Sequence, residues 1–340
     1  MDKRYNYFLN LIDKNNPFMY IDIGARGGIF EDWMSSSGAT QFIGFEPDSR
    51  EFNLLKNNEN IKYYNYFIYS KSMDLNFFIT KRHGASSILR PNMPLMSKYV
   101  DSERLDIISE EVIPSSRVIS LDNFIIKHSI NDVDFIKMDT QGTELSILKG
   151  CTENALKMTI GLKLEVSFIE IYENTALFRD VDGFLYDNGF RLMDILRVYW
   201  KLKDYYDYIG KGQLTGGDAL YFKDIDIFYK ELSELDKNQY NKNFYVNKIY
   251  KGILLFVFYN MFDYAFTITK KGFELGYLTN IEFENISKEI KNLSKCGSIK
   301  KKMWYKKTFN WFDKQLQRHK PFSKRLDKDY DKYLANIKDA

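Results

Sequence analysis

The sequence predicts an α/β fold in which a doubly wound, mainly parallel sheet is followed by a C-terminal α-helical extension. Up to about residue 224, short apolar runs alternate with stretches of helical period, as in sheets built from strand–helix–strand units. The first apolar run leads into a glycine-rich turn, and the second ends in a carboxylate. Beyond residue 224 the strand pattern stops, and the remaining sequence is charged and helical in period.

The predicted elements follow one another regularly along the first part of the chain. The first strand covers residues 18–24 and the second 41–46, where Pro47 ends it and Asp48 caps a helix over 49–58. Further strands are predicted at 61–69, 73–80, 107–113, 133–138, 160–168, 190–195 and 219–222. Helices are predicted at 121–128, 143–149 and 180–188, and a loop containing Ser, Pro and Gly at 82–94.

The charge divides the chain of 340 residues much as the strand pattern does. Lys and Arg (49) nearly balance Asp and Glu (46), which gives +3 overall. The window 295–325 holds eleven basic residues and one acid, so it carries +10 and leaves −7 for the rest of the chain. We therefore predict an acidic domain over 1–224 and a helical extension over 225–340 with a basic aromatic segment at 295–325. Basic charge confined to a tail is not typical of a nucleic-acid-binding protein.

The composition also excludes several classes of protein. Two cysteines make neither a disulfide scaffold nor a paired-cysteine zinc site, and three scattered histidines do not complete one. The N-terminal residues lack the apolar core of a signal peptide, so a reducing, cytoplasmic location is expected. The longest apolar run, at 253–262, is far shorter than the roughly 20 residues of a membrane span.

Glycines after the first predicted strand and a glutamate after the second indicate a nucleoside-containing cofactor. The run from Gly24 to Gly28 lets the backbone approach a ligand closely, and the helix start after it favours polar or anionic groups. Glu46 can accept both hydrogen bonds of a ribose diol. The glycine-rich turn and Glu46 do not by themselves identify the cofactor. The turn differs from the Gly-x-Gly-x-x-Gly of NAD sites, and no phosphate-binding loop pattern occurs.

A third stretch, at 133–150 with the sequence VDFIKMDTQGTELSILKG, is the most specific of the chain. Its core is Lys-x-Asp-x-Gln-Gly-x-Glu over residues 137–144. Together with the glycine-rich first strand at 22–28 and the Gly-Phe-Glu-Pro sequence at 44–47, it resembles the FkbM family of S-adenosylmethionine-dependent methyltransferases. Shorter stretches that match the family are Leu121-Asp122, Leu164-Glu165-Val166 and Gly217-Asp218-Ala219-Leu220.

The resemblance covers about residues 18–223. It implies a Rossmann-like methyltransferase sheet and a set of residues that bind S-adenosylmethionine. Gly24 and Gly28 would pass close to its methionine part, and Glu46 would bind its ribose hydroxyls. Within the implied set, Asp22 shapes the first turn, Tyr69 and Ser70 meet the adenine, and Asp139 faces the sulfonium. The full set is Asp22, Gly24, Ala25, Arg26, Gly28, Glu46, Tyr69, Ser70, Asp139 and Gln141.

Methyl transfer to a hydroxyl needs a group that removes the hydroxyl proton. Asp139 is the first candidate for this base, Glu165 the second and His83 the third. Asp139 and Glu165 could together hold Mg²⁺, whose ligands are oxygens, although the sequence does not indicate a metal site. Each candidate has a structural alternative. Asp139 could favour the start of the next helix, and Glu165 could pair with Lys137 or Lys163. His83 could be an ordinary exposed loop residue.

The basic aromatic segment has an amphipathic pattern. On a helix over 300–320, the Trp, Tyr and Phe side chains fall on one broad face, and basic side chains fall opposite. Such a helix suits an anionic membrane surface, an acidic glycan or a partner, and it would equally pack on the protein's own acidic body. Apolar residues at 229–293 are expected to form core or homodimer contacts. We therefore expect a cytoplasmic protein, with peripheral membrane contact through the tail as one option.

Three functions are compatible with these observations. The leading one is S-adenosylmethionine-dependent O-methylation of a sugar hydroxyl in bacterial surface polysaccharide or glycoconjugate biosynthesis. The second is a non-catalytic glycan-assembly or membrane-docking protein that keeps the fold. Deleting residues 295–340 would separate docking from methyl transfer. The third, an NAD-dependent sugar oxidoreductase, needs a Tyr-x-x-x-Lys pair, and Tyr199–Lys203 has that spacing.

Overall fold

The computed structural model describes residues 5–28, 38–204, 211–235, 240–296 and 325–326, and its elements confirm the predicted α/β class. The strands are β1 (Phe18–Ile23), β2 (Thr40–Phe45), β3 (Ile61–Tyr64), β4 (Phe67–Ile68), β5 (Leu75–Thr80), β6 (Ile107–Ile113), β7 (Val118–Ile119), β8 (Phe135–Met138), β9 (Gly161–Ser167), β10 (Phe190–Trp200), β11 (Gln213–Lys223) and β12 (Arg325–Leu326). The helices are α1 (Asn6–Leu9), α2 (Ser49–Phe52), α3 (Met93–Met96), α4 (Leu121–Lys127), α5 (Glu144–Lys149), α6 (Ala155–Met158), α7 (Phe178–Asp187), α8 (Ile225–Glu234), α9 (Lys242–Phe258), α10 (Phe262–Glu274) and α11 (Asn280–Cys296).

The main sheet has the strand order β12-β10-β11-β9-β8-β1-β2-β3. From β3 through β2, β1 and β8 to β9, all neighbours are parallel, whereas β11 runs antiparallel between β9 and β10. Strand β2 follows β1 in the chain and lies on one side of it, whereas the later strand β8 lies on its other side. The strand order therefore reverses between β1 and β8, at the kind of position where open parallel sheets form a crevice. The mainly parallel sheet is confirmed.

Alternating side chains bury the sheet on both faces, as a doubly wound fold requires. One face presents residues such as Ile21 and Ile136 to helices α4, α5, α6 and α7. The opposite face presents Phe18 and Phe135 to α1 and to the C-terminal helices α8 to α11. Helices α8 to α11 therefore share one hydrophobic core with the sheet and form the layer that covers this face.

Four buried charged side chains fasten α9 to the chain just before β8. The Lys248 ammonium lies 2.5 Å from Asp132 and 2.6 Å from Asp134. The Lys251 ammonium lies 2.8 Å and 2.9 Å from the same two carboxylates. Burial disfavours the charged form of Lys251, but the attraction of Asp134 and Asp132 outweighs it and raises the pKa of this lysine. The ammonium group of Lys251 is thus stabilised in its charged form by the two carboxylates that it contacts.

Replacing Lys251 by methionine is expected to lower the free energy of unfolding by about 3–5 kcal/mol, because two buried carboxylates then share one lysine. Urea denaturation followed by circular dichroism measures the loss. Lys270→Met is the matched control, since Lys270 lies in an exposed pair, 3.5 Å from Glu274, and such pairs contribute about 0–1 kcal/mol. Equal losses in the two variants would show that the buried cluster adds no more stability than a surface pair.

Three predicted elements are divided, placed in another sheet or much shortened in the structure. The strand predicted at 61–69 is divided into β3, in the main sheet, and β4, which pairs with β7 in a separate two-stranded sheet. The strand predicted at 73–80 is β5, and it pairs with β6 outside the main sheet. The helix predicted at 49–58 is the short α2, because Asn58 accepts hydrogen bonds from the backbone ahead of it and forms a turn.

The C-terminal extension is helical as predicted, through α11. Most of the basic aromatic segment at 295–325, including the amphipathic helix over 300–320, lies outside the described residues. Its contacts therefore stay predictions, as does the division of the chain at residue 224. In the part of the chain that the structure describes, no helix combines the length and apolar character needed to cross a bilayer.

Candidate active site

A cleft of about 620 Å³ opens at the carboxyl ends of β1, β2 and β8, where the strand order reverses. Ligands of open parallel sheets bind at such a point, because the loops on its two sides diverge. The walls come from the strand ends, from residues 66–68 and from the loop at 82–87. The predicted site residues that line the cleft are Gly24, Arg26, Glu46, His83, Asp139 and Gln141.

The end of β1 passes so close to the end of β8 that only glycine fits at residue 24. Gly24 has a φ of +87°, and a Cβ there would lie 2.3 Å from the backbone oxygen of Asp139. The N–H groups of Gly24 and Ala25 donate to the carbonyl oxygen of Phe45, at 3.0 Å and 2.9 Å, so the turn is also joined to β2. The cleft floor is therefore bare backbone here, against which a ligand can lie closely.

Glu46 follows β2 with a carboxylate that is only 5% exposed and lines the cleft. Its Oε1 accepts the N–H of Asp48 at 2.9 Å. Burial raises the pKa of Glu46 to about 7, against the opposing effect of this hydrogen bond. The nearby carboxylates of Asp48 and Glu51 contribute to the rise, and Arg26 opposes it. A buried carboxylate of this kind gains most when a ligand donates hydrogen bonds to it.

Gln141 connects the first two candidates for the base. Its Nε2 donates to Asp139 Oδ1 at 2.8 Å and to Glu165 Oε2 at 2.6 Å. Its Oε1 lies 2.9 Å from the hydroxyl of the buried Tyr172, and its carbonyl oxygen accepts the Ser87 hydroxyl at 2.8 Å. The structure therefore brings Asp139 and Glu165 into one network. It places an amide nitrogen between them, where a cation shared by the two carboxylates would have to lie.

The last residue of the 137–144 motif has a structural role. The buried Glu144 accepts the N–H and the hydroxyl of Thr140, both at 2.9 Å, and the N–H of Gly142 at 3.1 Å. These bonds hold the turn before α5, in which Gln141 and Gly142 have positive φ. The alternative role of Asp139 at the helix start thus belongs to Glu144, and the Asp139 side chain is exposed in the cleft.

The two lysines considered as partners of Glu165 pair with other carboxylates. Lys137 donates to Asp22 Oδ1 at 2.9 Å and so ties β8 to β1. Lys163 lies 3.8 Å from Asp218 on β11. Asp22 is buried and does not line the cleft, but its partner Lys137 does.

The loop at 82–87 rests on the turn after β1 and carries His83. The Nδ1 atom of His83 lies 3.9 Å from Glu51 Oε1, and the Nε of Arg26 lies 3.1 Å from the same oxygen. A Cβ on Gly84 would lie 2.4 Å from the Arg26 guanidinium group, so the loop backbone packs directly on this side chain. His83 therefore lines the cleft beside Glu51 and Arg26.

Tyr69 and Ser70 are not among the residues that line the cleft. They pack against Gly150, where a Cβ would lie 2.7 Å from the Cα of Ser70. The division of the strand predicted at 61–69 explains this difference, since residues 66–68 form the cleft wall instead. The other predicted cofactor residues outside the lining are Asp22, Ala25 and Gly28.

The chain matches a known protein family in sequence. The sequence model of the methyltransferase FkbM domain matches residues 22–192, just over half of the chain. The chain belongs to the FkbM methyltransferase family. The match includes the glycine-rich turn, Glu46 and the 137–144 motif, so the cleft of this FkbM protein is built from the segments that define the match. No curated protein sequence matches the chain.

Solved methyltransferase structures are similar to this FkbM protein only at a low level. Magnesium protoporphyrin IX methyltransferase from Synechocystis, solved with S-adenosylmethionine, is 8% identical over 66% of this chain and 77% of its own, with a TM-score of 0.31. Precorrin-6y C5,15-methyltransferase from Geobacter metallireducens is 10% identical over 65% and 87%, with a TM-score of 0.32. M. capricolum TrmK, solved with S-adenosylhomocysteine, is 11% identical over 87% and 96%, with a TM-score of 0.28. The family assignment rests on the sequence match rather than on these likenesses.

The described ranges contain no group of three or more His, Cys, Asp and Glu side chains placed to hold a metal ion. Three residues at or beside the cleft of this FkbM protein are not predicted from the sequence. Tyr172 positions Gln141 from 31 residues further along the chain. Arg82 lines the cleft, and its backbone N–H donates to the carbonyl oxygen of Arg104, which is not among the lining residues. No spacing pattern in a single sequence marks such residues.

Proposed function

We propose that this FkbM protein transfers the methyl group of S-adenosylmethionine to a hydroxyl of a sugar, in the assembly of a bacterial surface polysaccharide or glycoconjugate. The observation that carries the proposal is that Glu46 and Asp139 line the same cleft. O-methyl transfer asks for a carboxylate that accepts the ribose hydrogen bonds and for a base near the acceptor hydroxyl.

The described residues fit S-adenosylmethionine. The bare backbone at Gly24 accommodates the methionine part, and Glu46 accepts the ribose hydroxyls. Phe67 and Ile68 line the wall and offer an apolar surface to the adenine. When bound, S-adenosylmethionine supplies an electrophilic methyl group. The residues of the site then have to orient the acceptor and take up its hydroxyl proton.

Asp139 is the base in this proposal. Its Oδ1 accepts the Gln141 amide, so the carboxylate is oriented while Oδ2 is left to accept the proton of the acceptor hydroxyl. Glu165 holds the same amide from the other side and acts as a positioning residue. His83 stays the third candidate for the base.

S-adenosylhomocysteine is expected to bind more weakly as the pH falls below about 7. The pKa of Glu46 is raised to about 7, so this carboxyl group is increasingly protonated in the free protein below that pH. The ribose diol binds the ionised form, and the dissociation constant should rise by up to about tenfold per pH unit below 7 and level off above it. Calorimetry between pH 5.5 and 8 measures the effect. Glu46→Gln should remove it, and a wild-type affinity independent of pH would contradict it.

The proposed function is tested by calorimetric titration of the full chain with S-adenosylhomocysteine. Transfer of a labelled methyl group from S-adenosylmethionine to methyl glycosides and sugar nucleotides follows. We expect binding, and a labelled product in which the methyl group is on oxygen. Absence of binding would overturn the proposal.

Two alternatives give different results in this test. Binding without any labelled product would favour the non-catalytic docking protein. The oxidoreductase alternative would bind NAD, yet Tyr199 and Lys203 are not among the residues that line the cleft. The cytoplasmic location, the membrane or glycan contact of the tail and the homodimer stay predictions from the sequence.

A further inference from the structure

The loop at 82–87, which forms one wall of the cleft, is joined to Gln141 at two points. The hydroxyl of Ser87 donates to the backbone oxygen of Gln141 at 2.8 Å. The hydroxyl of Tyr172 lies 2.8 Å from the carbonyl oxygen of Ala85 in the loop and 2.9 Å from Gln141 Oε1. Because the Gln141 amide also contacts the proposed base, a wall of the cleft and the base belong to one network.

Tyr172 is fixed in place independently of this network. The backbone on both sides of it is hydrogen-bonded to residues 90–92, at 3.0 Å and 2.8 Å. Its side chain is 3% exposed and belongs to a buried apolar cluster. Burial, followed by the charge of Glu165, raises the pKa of Tyr172 well above its ordinary value, so the hydroxyl keeps its proton and acts as a donor.

The hydroxyl of Tyr172 carries one proton, and two acceptors lie within its reach. The Ala85 carbonyl oxygen and Gln141 Oε1 therefore share one donor. Gln141 depends on such contacts, because its φ of +57° lies in the left-handed region, which a residue with a side chain keeps only where its surroundings hold it. Its Nε2 protons are donated to two carboxylates, so the contact at Oε1 fixes the other end of the amide.

We propose that Tyr172 is a positioning residue that holds Asp139 and the loop at 82–87 in one arrangement. The inference rests on the proposed function and explains how that site keeps its base oriented. Without the hydroxyl, Gln141 Oε1 and the Ala85 carbonyl oxygen both lose a donor, and acceptors that lack one turn toward water. The Gln141 amide then leaves Asp139 Oδ1, and the loop separates from the same residue.

Tyr172→Phe is expected to lower the kcat of methyl transfer about tenfold, because a catalytic group that is slightly misplaced reacts much more slowly. Tyr99→Phe is the matched control. Tyr99 is also 3% exposed and lies in the same apolar cluster, but its hydroxyl donates to Gln213 at 2.5 Å, outside the network. It should lower the melting temperature by a similar amount and leave kcat within about twofold. Equal losses of kcat in the two variants would overturn the inference.

A double-mutant cycle shows whether Tyr172 acts through the base. In the Asp139→Asn background the proton acceptor is already lost, so adding Tyr172→Phe should lower kcat by less than about twofold. A further tenfold loss in that background would overturn the inference, because the tyrosine would then act independently of Asp139.

Hydrogen exchange of the full chain, followed by mass spectrometry, tests the same link without any turnover. Peptides that cover residues 82–87 and 139–144 should both exchange faster in Tyr172→Phe than in the wild type, and at the wild-type rate in Tyr99→Phe. Unchanged exchange in either peptide of Tyr172→Phe would overturn the inference. Wild-type protein that fails to bind S-adenosylhomocysteine, with this exchange pattern intact, would support the link through Tyr172 and overturn the methyl-transfer function.

Discussion

Glu46→Ala is expected to weaken the binding of S-adenosylhomocysteine by at least about a hundredfold. The carboxylate is proposed to accept both ribose hydroxyls, and a hydrogen bond to a charged group contributes about 1.5–3 kcal/mol. Two such bonds correspond to a loss of about two to four powers of ten in affinity. Isothermal titration calorimetry at pH 8, where Glu46 is ionised, measures the change directly.

The same variant should fold normally. Burial raises the pKa of Glu46 to about 7, so its ionised form is unfavourable in the free protein. Among the residues that the structure describes, Glu46 forms no ion pair that its removal would break. We expect a melting temperature close to that of the wild type. Glu110→Gln is the control for a charge change outside the cleft, since Glu110 pairs with the exposed Arg90. A Glu46→Ala affinity within threefold of wild type would remove Glu46 from the cofactor site.

Asp139→Asn is expected to lower the rate of methyl transfer by about 10²–10⁴-fold, the usual contribution of a general base. The asparagine oxygen can still accept the hydrogen bond from Gln141, so the network keeps its shape while the proton acceptor is lost. Labelled methyl transfer to the best acceptor of the panel measures the rate. The affinity for S-adenosylhomocysteine should stay within about threefold.

Two further variants distinguish the candidates for the base. Asp139→Ala removes both the proton acceptor and the partner of Gln141, and it should be at least as slow as Asp139→Asn. Glu165→Gln should lose only about tenfold, because Glu165 orients Gln141 and does not take the proton in this proposal. Full activity of Asp139→Ala would assign the proton to another group, and a larger loss in Glu165→Gln would point to Glu165.

The central strands could be predicted from the sequence because each is a short apolar run between polar turns. This holds for β1, β2, β8 and β9. The sequence did not show where β10 and β11 end, since their outer halves contain polar residues and are extended only because they pair with each other, from Trp200 with Gln213 inward. The division of β3 from β4 could not be predicted either, because the two pieces follow each other closely and β4 pairs with β7, which lies much further along the chain.

The candidate site could be predicted where local chemistry fixes it. Gly24 and Glu46 follow from the requirements of a tight turn and a ribose diol at the ends of neighbouring strands. The position of Gln141 between two carboxylates could not be predicted, because it depends on a left-handed backbone and on Tyr172. Asp122 shows the same limit: the family resemblance marked it, but only the structure shows that it accepts the N–H groups before and at the start of α6.

The layer formed by α8 to α11 has a consequence for how the chain folds. Asp132 is bonded to Lys251, 119 residues later, and Asp13 is bonded to Asn247, 234 residues later. During synthesis, the apolar face that presents Phe18 and Phe135 therefore stays uncovered until α9 has left the ribosome. Contacts of such long sequence separation slow folding, and exposed sheet faces of this kind favour aggregation. The packing of this sheet face can therefore be completed only after the C-terminal helices have been synthesised.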